Sequence, residues 1–366
     1  MNEKYLINDI CDVGSSKRIY LSEYQARGIP FYRGKEIIEK DSNRDISNEL
    51  FISHERYNEI KEKFGVPVEG DILMTAVGTI GVSWYVNESN FYFKDGNLIW
   101  LKNFKKDKVN SKYLYYIFKS KMFSEIIRNI SIGSTQKAIT IEQVKKIQLN
   151  FPKIDIQNRI VNILDGINDK IRINNEINNN LYKLIKNNYE SLINGCNWEE
   201  VELGAISNIT SGKRPVDKSE TGEYPVIGAN GIMAYASDYN FNEDLIITGR
   251  VGTLGVVKRY LGKIWASDNT LVIQTKYLNY IENYLKTIDY YSLNRGSTQP
   301  LLTQGDLKKQ IIYFNGESVT KFEKDNQIFV DKIRNNEKEN SKLIQLRDTL
   351  LPKLMNGEID LDNIEI

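Results

Sequence analysis

The chain has 366 residues and a mass of 42.3 kDa, with 41% hydrophobic residues, 27% charged residues and a formal charge of +1, which suits two ordinary domains with their own cores. Two cysteines, Cys11 and Cys196, and a lone His54 exclude a disulfide-dense scaffold, a cysteine-rich zinc framework and a multi-histidine metal cage. The start shows no basic and apolar leader and no apolar run is long enough to span a bilayer, so a cytoplasmic, non-membrane protein is expected.

Taken in chain order, the first elements lie between Lys17-Arg18 and Pro30-Phe31-Tyr32 and a β-rich stretch. There Ile72 to Thr75 and Val82 to Val86 read as strands within GDILMTAVGTIG, Gly70 to Gly81. The GTIG segment lacks the spacing of a Walker A loop or a dinucleotide fingerprint and reads as a turn at a sheet edge. Tyr113 to Phe118 suits a short helix. Gly133-Ser134-Thr135-Gln136 and then IEQVKKIQLNFP, Ile141 to Pro152, follow. From residue 155 to 193 the period changes to a 4-3 rhythm that collects Ile167, Ile171, Asn174, Asn178 and Leu181, and the stretch closes on Leu192-Ile193-Asn194-Gly195.

The same features then recur. Lys213-Arg214 and Pro225-Val226-Ile227 precede DLIITGRVGTLG, Asp244 to Gly255, whose strand is expected over Leu245 to Thr248; Leu271 to Ile273 suits a further strand and Tyr280 to Lys286 a short helix. Gly296-Ser297-Thr298-Gln299 lies 163 residues after its counterpart, QGDLKKQIIYFN follows, and a second heptad stretch from 321 to 356 carries Phe329, Ile333, Asn336, Asn340 and Leu343. It ends on Leu354-Met355-Asn356-Gly357, with Pro352 expected to perturb its last turn. Several matches in one order indicate internal duplication with divergent loops.

The two heptad stretches would make helices of roughly 58 and 54 Å at about 1.5 Å per residue. If the second domain has its entry and exit near one face, the second helix returns along the first, as an antiparallel pair. The two-Asn layer lowers seam hydrophobicity but favours one register, since slippage leaves amides unpaired.

Duplicated GSTQ-containing domains, each followed by a long helix ending in LING or LMNG, resemble a specificity subunit of Type I DNA restriction-modification systems over nearly the whole chain. The resemblance implies an α+β fold: two duplicated α/β target-recognition domains, 1–154 and 195–320, separated by a long antiparallel helix pair (a coiled coil), 155–193 and 321–356, with a tail at 357–366. It implies that each domain reads half of a bipartite, asymmetric site in double-stranded DNA. The helices set the separation and dock modification (methyltransferase) subunits, two in number, with restriction (endonuclease/translocase) subunits in the full complex. S-adenosylmethionine, ATP and Mg2+ enter only through those partners, and this chain is not itself an enzyme.

The residues are compatible with that division of labour. No adenine-methylation motif of NPPY type or paired metal-ligand set is present, and Asp71 and Asp244, at related positions, suit strand caps better than catalysis. Lys17, Arg18, Arg33, Lys137, Lys213, Arg214, Arg250 and Arg295 are candidates for phosphates or guanine edges, and Thr75, Thr79, Gln136, Asn230, Thr253, Asn269 and Gln299 for polar contacts. For each, a solvated or fold-supporting role is the alternative. Residues 1 to 154 carry 24 Lys/Arg against 19 Asp/Glu and residues 195 to 320 carry 12 against 14, so DNA affinity would come from arrangement, not excess charge. A coiled-coil adaptor that binds no DNA is the second reading, and an enzyme with unconventional residues a third.

Overall fold

The computed structural model describes residues 3–42, 46–133, 137–195, 197–220, 222–355 and 358–359. The chain divides into two compact units, one of residues 1–171 and 341–366, the other of residues 172–340. Cys196, Gln136 and most of the expected tail lie outside the described residues.

In the first unit an antiparallel sheet runs in the order Asp12–Gly14, Leu98–Lys102, Ile72–Thr75, Ser83–Tyr85. Its central strands read as continuous apolar runs because both faces are covered. Ile72, Met74, Ile99 and Leu101 point into a core shared with the helix Ser111–Phe118, while Leu73, Leu98 and Trp100 point the other way, onto Tyr32, Trp84 and Phe93. The period of two sends alternate residues to different cores. A smaller sheet places Ile29–Tyr32 between Phe51–Ile52, antiparallel, and Tyr92–Phe93, parallel. A ribbon of Glu3–Leu6 and Gln148–Phe151 closes the unit.

The second unit repeats this plan, with a fourth strand, Phe241–Asn242, added to its smaller sheet. Asn208–Ser211, Thr270–Gln274, Leu245–Gly249 and Lys258–Tyr260 form the antiparallel sheet in that order. Ile246, Leu271 and Ile273 face one core, and Leu245, Ile247 and Val272 the other. Tyr224–Gly228 pairs in parallel with Lys263–Ala266, as Ile29–Tyr32 does with Tyr92–Phe93, and Glu199–Glu202 with Ile311–Phe314 makes the ribbon. The strand at 82–86 is shorter than its apolar run, Ser83–Tyr85. The short helices begin two residues ahead of their apolar runs, at Ser111 and Leu278. Asn110 caps the first, accepting from the N–H groups of Lys112 and Tyr113 at 2.9 and 3.3 Å. Glu323 caps the second from a long helix, accepting from Asn279 and Tyr280 N–H at 3.1 and 2.8 Å.

The long helices run from Ile154 to Ile193 and from Gly316 to Met355, each contributing one part to each unit. The second starts ahead of its heptad pattern because Asn315 acts as its cap, accepting from Ser318 N–H at 3.0 Å. Pro352 falls inside its last turn, with the helix continuing to Met355.

Within the second unit the seam is a ladder of amides. Asn174 Nδ2 donates to Asn340 Oδ1 at 2.9 Å, Asn336 Nδ2 to Asn178 Oδ1 at 2.7 Å and Asn188 Nδ2 to Asn326 Oδ1 at 2.9 Å. As one number rises its partner's falls, so the segments are antiparallel. The 162-residue repeat offset carries the pair Asn174 and Asn340 onto Asn336 and Asn178, so each duplicated Asn is hydrogen-bonded to the copy of the other. Ile333 is buried alongside them. In the first unit Ile160, Val161 and Leu164 share a core with Leu351 and Leu354, and Arg347 Nη1 donates to Asn168 Oδ1 at 3.2 Å. Ile167 is also buried there, while Ile171, Leu181, Phe329 and Leu343 are partly exposed.

Candidate nucleic-acid interface

Five of the polar candidates of the second domain come together around the loop after Leu245–Gly249. Arg250 donates its backbone N–H to the Asn269 carbonyl at 2.8 Å and its own carbonyl accepts from Leu302 N–H at 2.8 Å, which holds the strand end between two neighbouring segments. Gly252 N–H donates to the Pro300 carbonyl at 2.9 Å, and Gln299 Nε2 lies beside Gly252. The turn is tight: a Cβ on Gly249 would stand 1.8 Å from the Thr253 carbonyl oxygen and 3.1 Å from Ala229 Cβ, next to Asn230. Asn230, Thr253, Asn269 and Gln299 are exposed and Arg250 half-exposed, its Nη1 donating to the Asp268 carbonyl at 3.3 Å. Lys258 joins them, its Nζ donating to the Asn230 carbonyl at 3.4 Å. Lys258 belongs to no motif in the sequence; only the antiparallel pairing of Lys258–Tyr260 with Leu245–Gly249 brings it to this loop.

Lys213 and Arg214 are exposed on a second segment. Lys213 N–H donates to the Ala266 carbonyl at 2.9 Å and its carbonyl accepts from Trp265 Nε1 at 2.8 Å. A Cβ on the preceding Gly212 would meet the Ser267 carbonyl oxygen at 2.1 Å, so the backbone passes where only glycine fits. Arg295 is committed differently. Its Nε and Nη2 donate to the two oxygens of Asp306 at 3.1 and 2.8 Å, and this pair holds the Asp306 carboxyl down to about 2. Arg295 therefore anchors a helix start more than it presents a free fork.

The first domain builds the same frame. Ala76 donates its N–H to the Asn97 carbonyl at 2.8 Å and accepts from Ile139 N–H at 2.9 Å, and Gly78 N–H donates to the Lys137 carbonyl at 3.1 Å. Ala76, which is buried, thus stands at the station of Arg250, and Thr75 at that of Gly249. Thr75 is 1% exposed, its hydroxyl donating to the Thr79 carbonyl at 2.5 Å and accepting from Val82 N–H at 3.0 Å. This corrects the expectation for Thr75: its hydroxyl is spent inside the turn and does not face solvent. Thr79 and Lys137 are exposed.

Lys17 matches Lys213 in backbone position, since Tyr92, the counterpart of Trp265, accepts from Lys17 N–H at 2.7 Å. Its ammonium sits over the Phe64 ring, 4.4 Å from the centroid. Arg18 pairs with Asp95 at 2.9 Å, and Arg33 closes on the buried Glu36 through Nη2 at 2.6 Å and Nε at 3.1 Å. Arg33 is therefore held by a helix-capping carboxylate.

The acidic pair reads as framework. Burial pushes the Asp71 carboxyl up, and it accepts from Val68 N–H at 3.0 Å and Trp100 Nε1 at 2.8 Å; Asp244 pairs with Arg334. His54 is exposed in the first turn of the helix His54–Phe64. Among the described residues no group of three or more His, Cys, Asp or Glu is placed to hold a metal ion, and no helix is long and apolar enough to cross a membrane.

Known proteins share this organisation. The model of the type I restriction modification DNA specificity domain matches twice, over residues 2–183 and 196–345. S.HindORF215P of Haemophilus influenzae, a type I restriction enzyme specificity subunit, is 33% identical over 166 residues, 45% of this chain and 40% of that protein. The MjaIX specificity subunit of Methanocaldococcus jannaschii is 26% identical over 412 aligned positions, 98% of this chain and 93% of its own length. The crystal structure of the S subunit from M. genitalium superposes with a TM-score of 0.62 at 18% identity, covering 97% of this chain and 96% of that one, which places the fold.

Proposed function

Because this chain belongs to the type I restriction-modification DNA specificity family, we propose that its two domains each read one half of a bipartite, asymmetric site in double-stranded DNA. The observation that carries this reading is the duplicated frame with exchanged heads. The backbone bonds around Ala76 and Arg250 are the same, yet one station presents a buried methyl and the other a guanidinium. A guanidinium can donate bidentately to guanine, whereas an alanine methyl cannot, so the two domains would select different bases from one architecture. Positioning by backbone bonds and discrimination by side chains is what recognition of two unlike half-sites needs.

In this reading the long helices set the distance between half-sites and present their outer faces to two methyltransferase subunits. Asn174, Asn178, Asn336 and Asn340 serve the seam itself, being buried in it. Methyl transfer from S-adenosylmethionine to adenine, and ATP- and Mg2+-dependent restriction, belong to the partners, and the assembly works where the cell keeps its DNA, in the cytoplasm. The test is co-expression with a type I methyltransferase subunit, followed by genome-wide sequencing of adenine methylation. A split motif that appears only with this chain is expected. A stable complex that changes no methylation and prefers no duplex would instead leave a coiled-coil adaptor.

A further inference from the structure

The first domain holds two cations that the frame around Ala76 does not use. Arg128 lies in the last turn of the helix Lys121–Ile130, and Lys137 is tied to the GTIG turn through its carbonyl, which accepts from Gly78 N–H at 3.1 Å. Both are exposed, and among the described residues neither has an ion-pair partner. With Ser124 they rim a hollow floored by Ile80, Phe123 and Ile127. The helix packs closely on the turn: a Cβ on Gly81 would stand 3.0 Å from Ile127 Cγ2.

The second domain repeats the construction with other chemistry. Tyr290 stands against Gly255, at 3.1 Å from its ideal Cβ, as Ile127 stands against Gly81. Pro300 accepts from Gly252 N–H at 2.9 Å as Lys137 accepts from Gly78. Tyr291, 93% exposed, follows Tyr290 in a turn as Arg128 follows Ile127 in a helix, and Pro300 corresponds to Lys137. The cations change places between the domains. The first has Arg128 and Lys137 here and Ala76 at the strand end, whereas the second has Arg250 at the strand end and neither cation here.

We propose that Arg128 and Lys137 form a phosphodiester-binding site for the DNA backbone, present in the first domain and absent from the second. This rests on the DNA-recognition reading above. Both cations line one hollow, and a phosphate can accept from a guanidinium and an ammonium together. The apolar floor covers the adjoining sugar. Such a contact positions the duplex without reading its bases.

The experiment uses the full chain in complex with its methyltransferase subunits, binding a duplex that carries the methylated motif from about 50 to about 200 mM salt. Arg128→Gln with Lys137→Gln should weaken binding about tenfold and flatten the slope of log affinity against log salt by about one, for the one phosphate contact removed. The preferred sequence should stay the same. Arg128→Lys with Lys137→Arg keeps both charges and should restore most of the slope, which also separates the effect from misfolding. An unchanged slope in the Gln variant, where the wild-type complex does bind its motif, overturns the phosphate site alone. Altered preference at the first half-site with an unchanged slope also overturns it, since the residues would then read bases. A wild-type complex without any preferred sequence overturns the DNA-recognition reading beneath it.

Discussion

Arg250 and Ala76 occupy the same backbone station in two copies of one fold, each donating its N–H to an asparagine carbonyl, Asn269 or Asn97, at 2.8 Å. The surrounding hydrogen bonds fix where each Cβ points, so the residue type alone decides what that point offers to a ligand. A frame of this kind lets one half of a binding site change its chemistry without disturbing the sheet behind it.

Arg250→Ala makes the second domain resemble the first at this station. If Arg250 reads a base, discrimination at one position of the second half-site should fall by about 1–3 kcal/mol, with the first half-site unaffected. Methylation sequencing of cells carrying the variant would show the relaxed position. Uniformly weakened binding would point to a phosphate contact.

Gly249→Ala should be destabilising although it adds only a methyl group. The new Cβ would stand 1.8 Å from the Thr253 carbonyl oxygen, so the GTLG turn must shift. A loss of about 2 kcal/mol is expected in chemical denaturation, within the range for overpacked buried sites. Gly262→Ala, at positive φ (73°) with nothing within 4 Å of its Cβ, carries backbone strain without a clash, the converse of Gly249, and should cost less.

The amide seam predicts a non-additive pair. Asn178→Leu leaves the buried Asn336 amide without its 2.7 Å partner and should cost about 1–3 kcal/mol. Asn178→Leu with Asn336→Leu replaces both amides by apolar groups and should recover much of that loss in a thermal unfolding double-mutant cycle. Additive losses would mean that the two residues do not act through each other.

Lengthening both long helices by four residues adds about 6 Å of helix, close to two base-pair steps of DNA. If the helices set the distance between half-sites, the gap in the methylated motif should grow by one to two base pairs with both half-sites preserved. An unchanged gap would reject that role for the helices.

Much of the fold was legible because its signals are local. Ile72–Thr75 and Leu245–Gly249 announce buried strands by unbroken apolar runs, and the GTIG and GTLG turns by glycines that adopt positive φ, Gly78 at 78°, Gly81 at 80°, Gly252 at 86° and Gly255 at 79°. The heptad rhythm gave the long helices to within a few residues, missing the start at Gly316 because a capping asparagine leaves no periodic trace. The candidate interface was legible as a set of residue types, not as a site. Thr75 has the composition of a contact residue but is enclosed by its own turn, while Lys258 and Arg128 belong to no motif and reach their loops through strand pairing and helix packing.

The sequence by itself determined the duplication, the alternation of buried strands and long helices, and through them the family, because periodicity and repeat are properties of order along the chain. Tertiary structure decided which copy of each Asn meets which, and that Ala76 and Arg250 are held by matching backbone bonds. Those contacts join segments tens of residues apart, and order along the chain, even where the repeat offset is constant, tells which residues correspond without telling what each one touches.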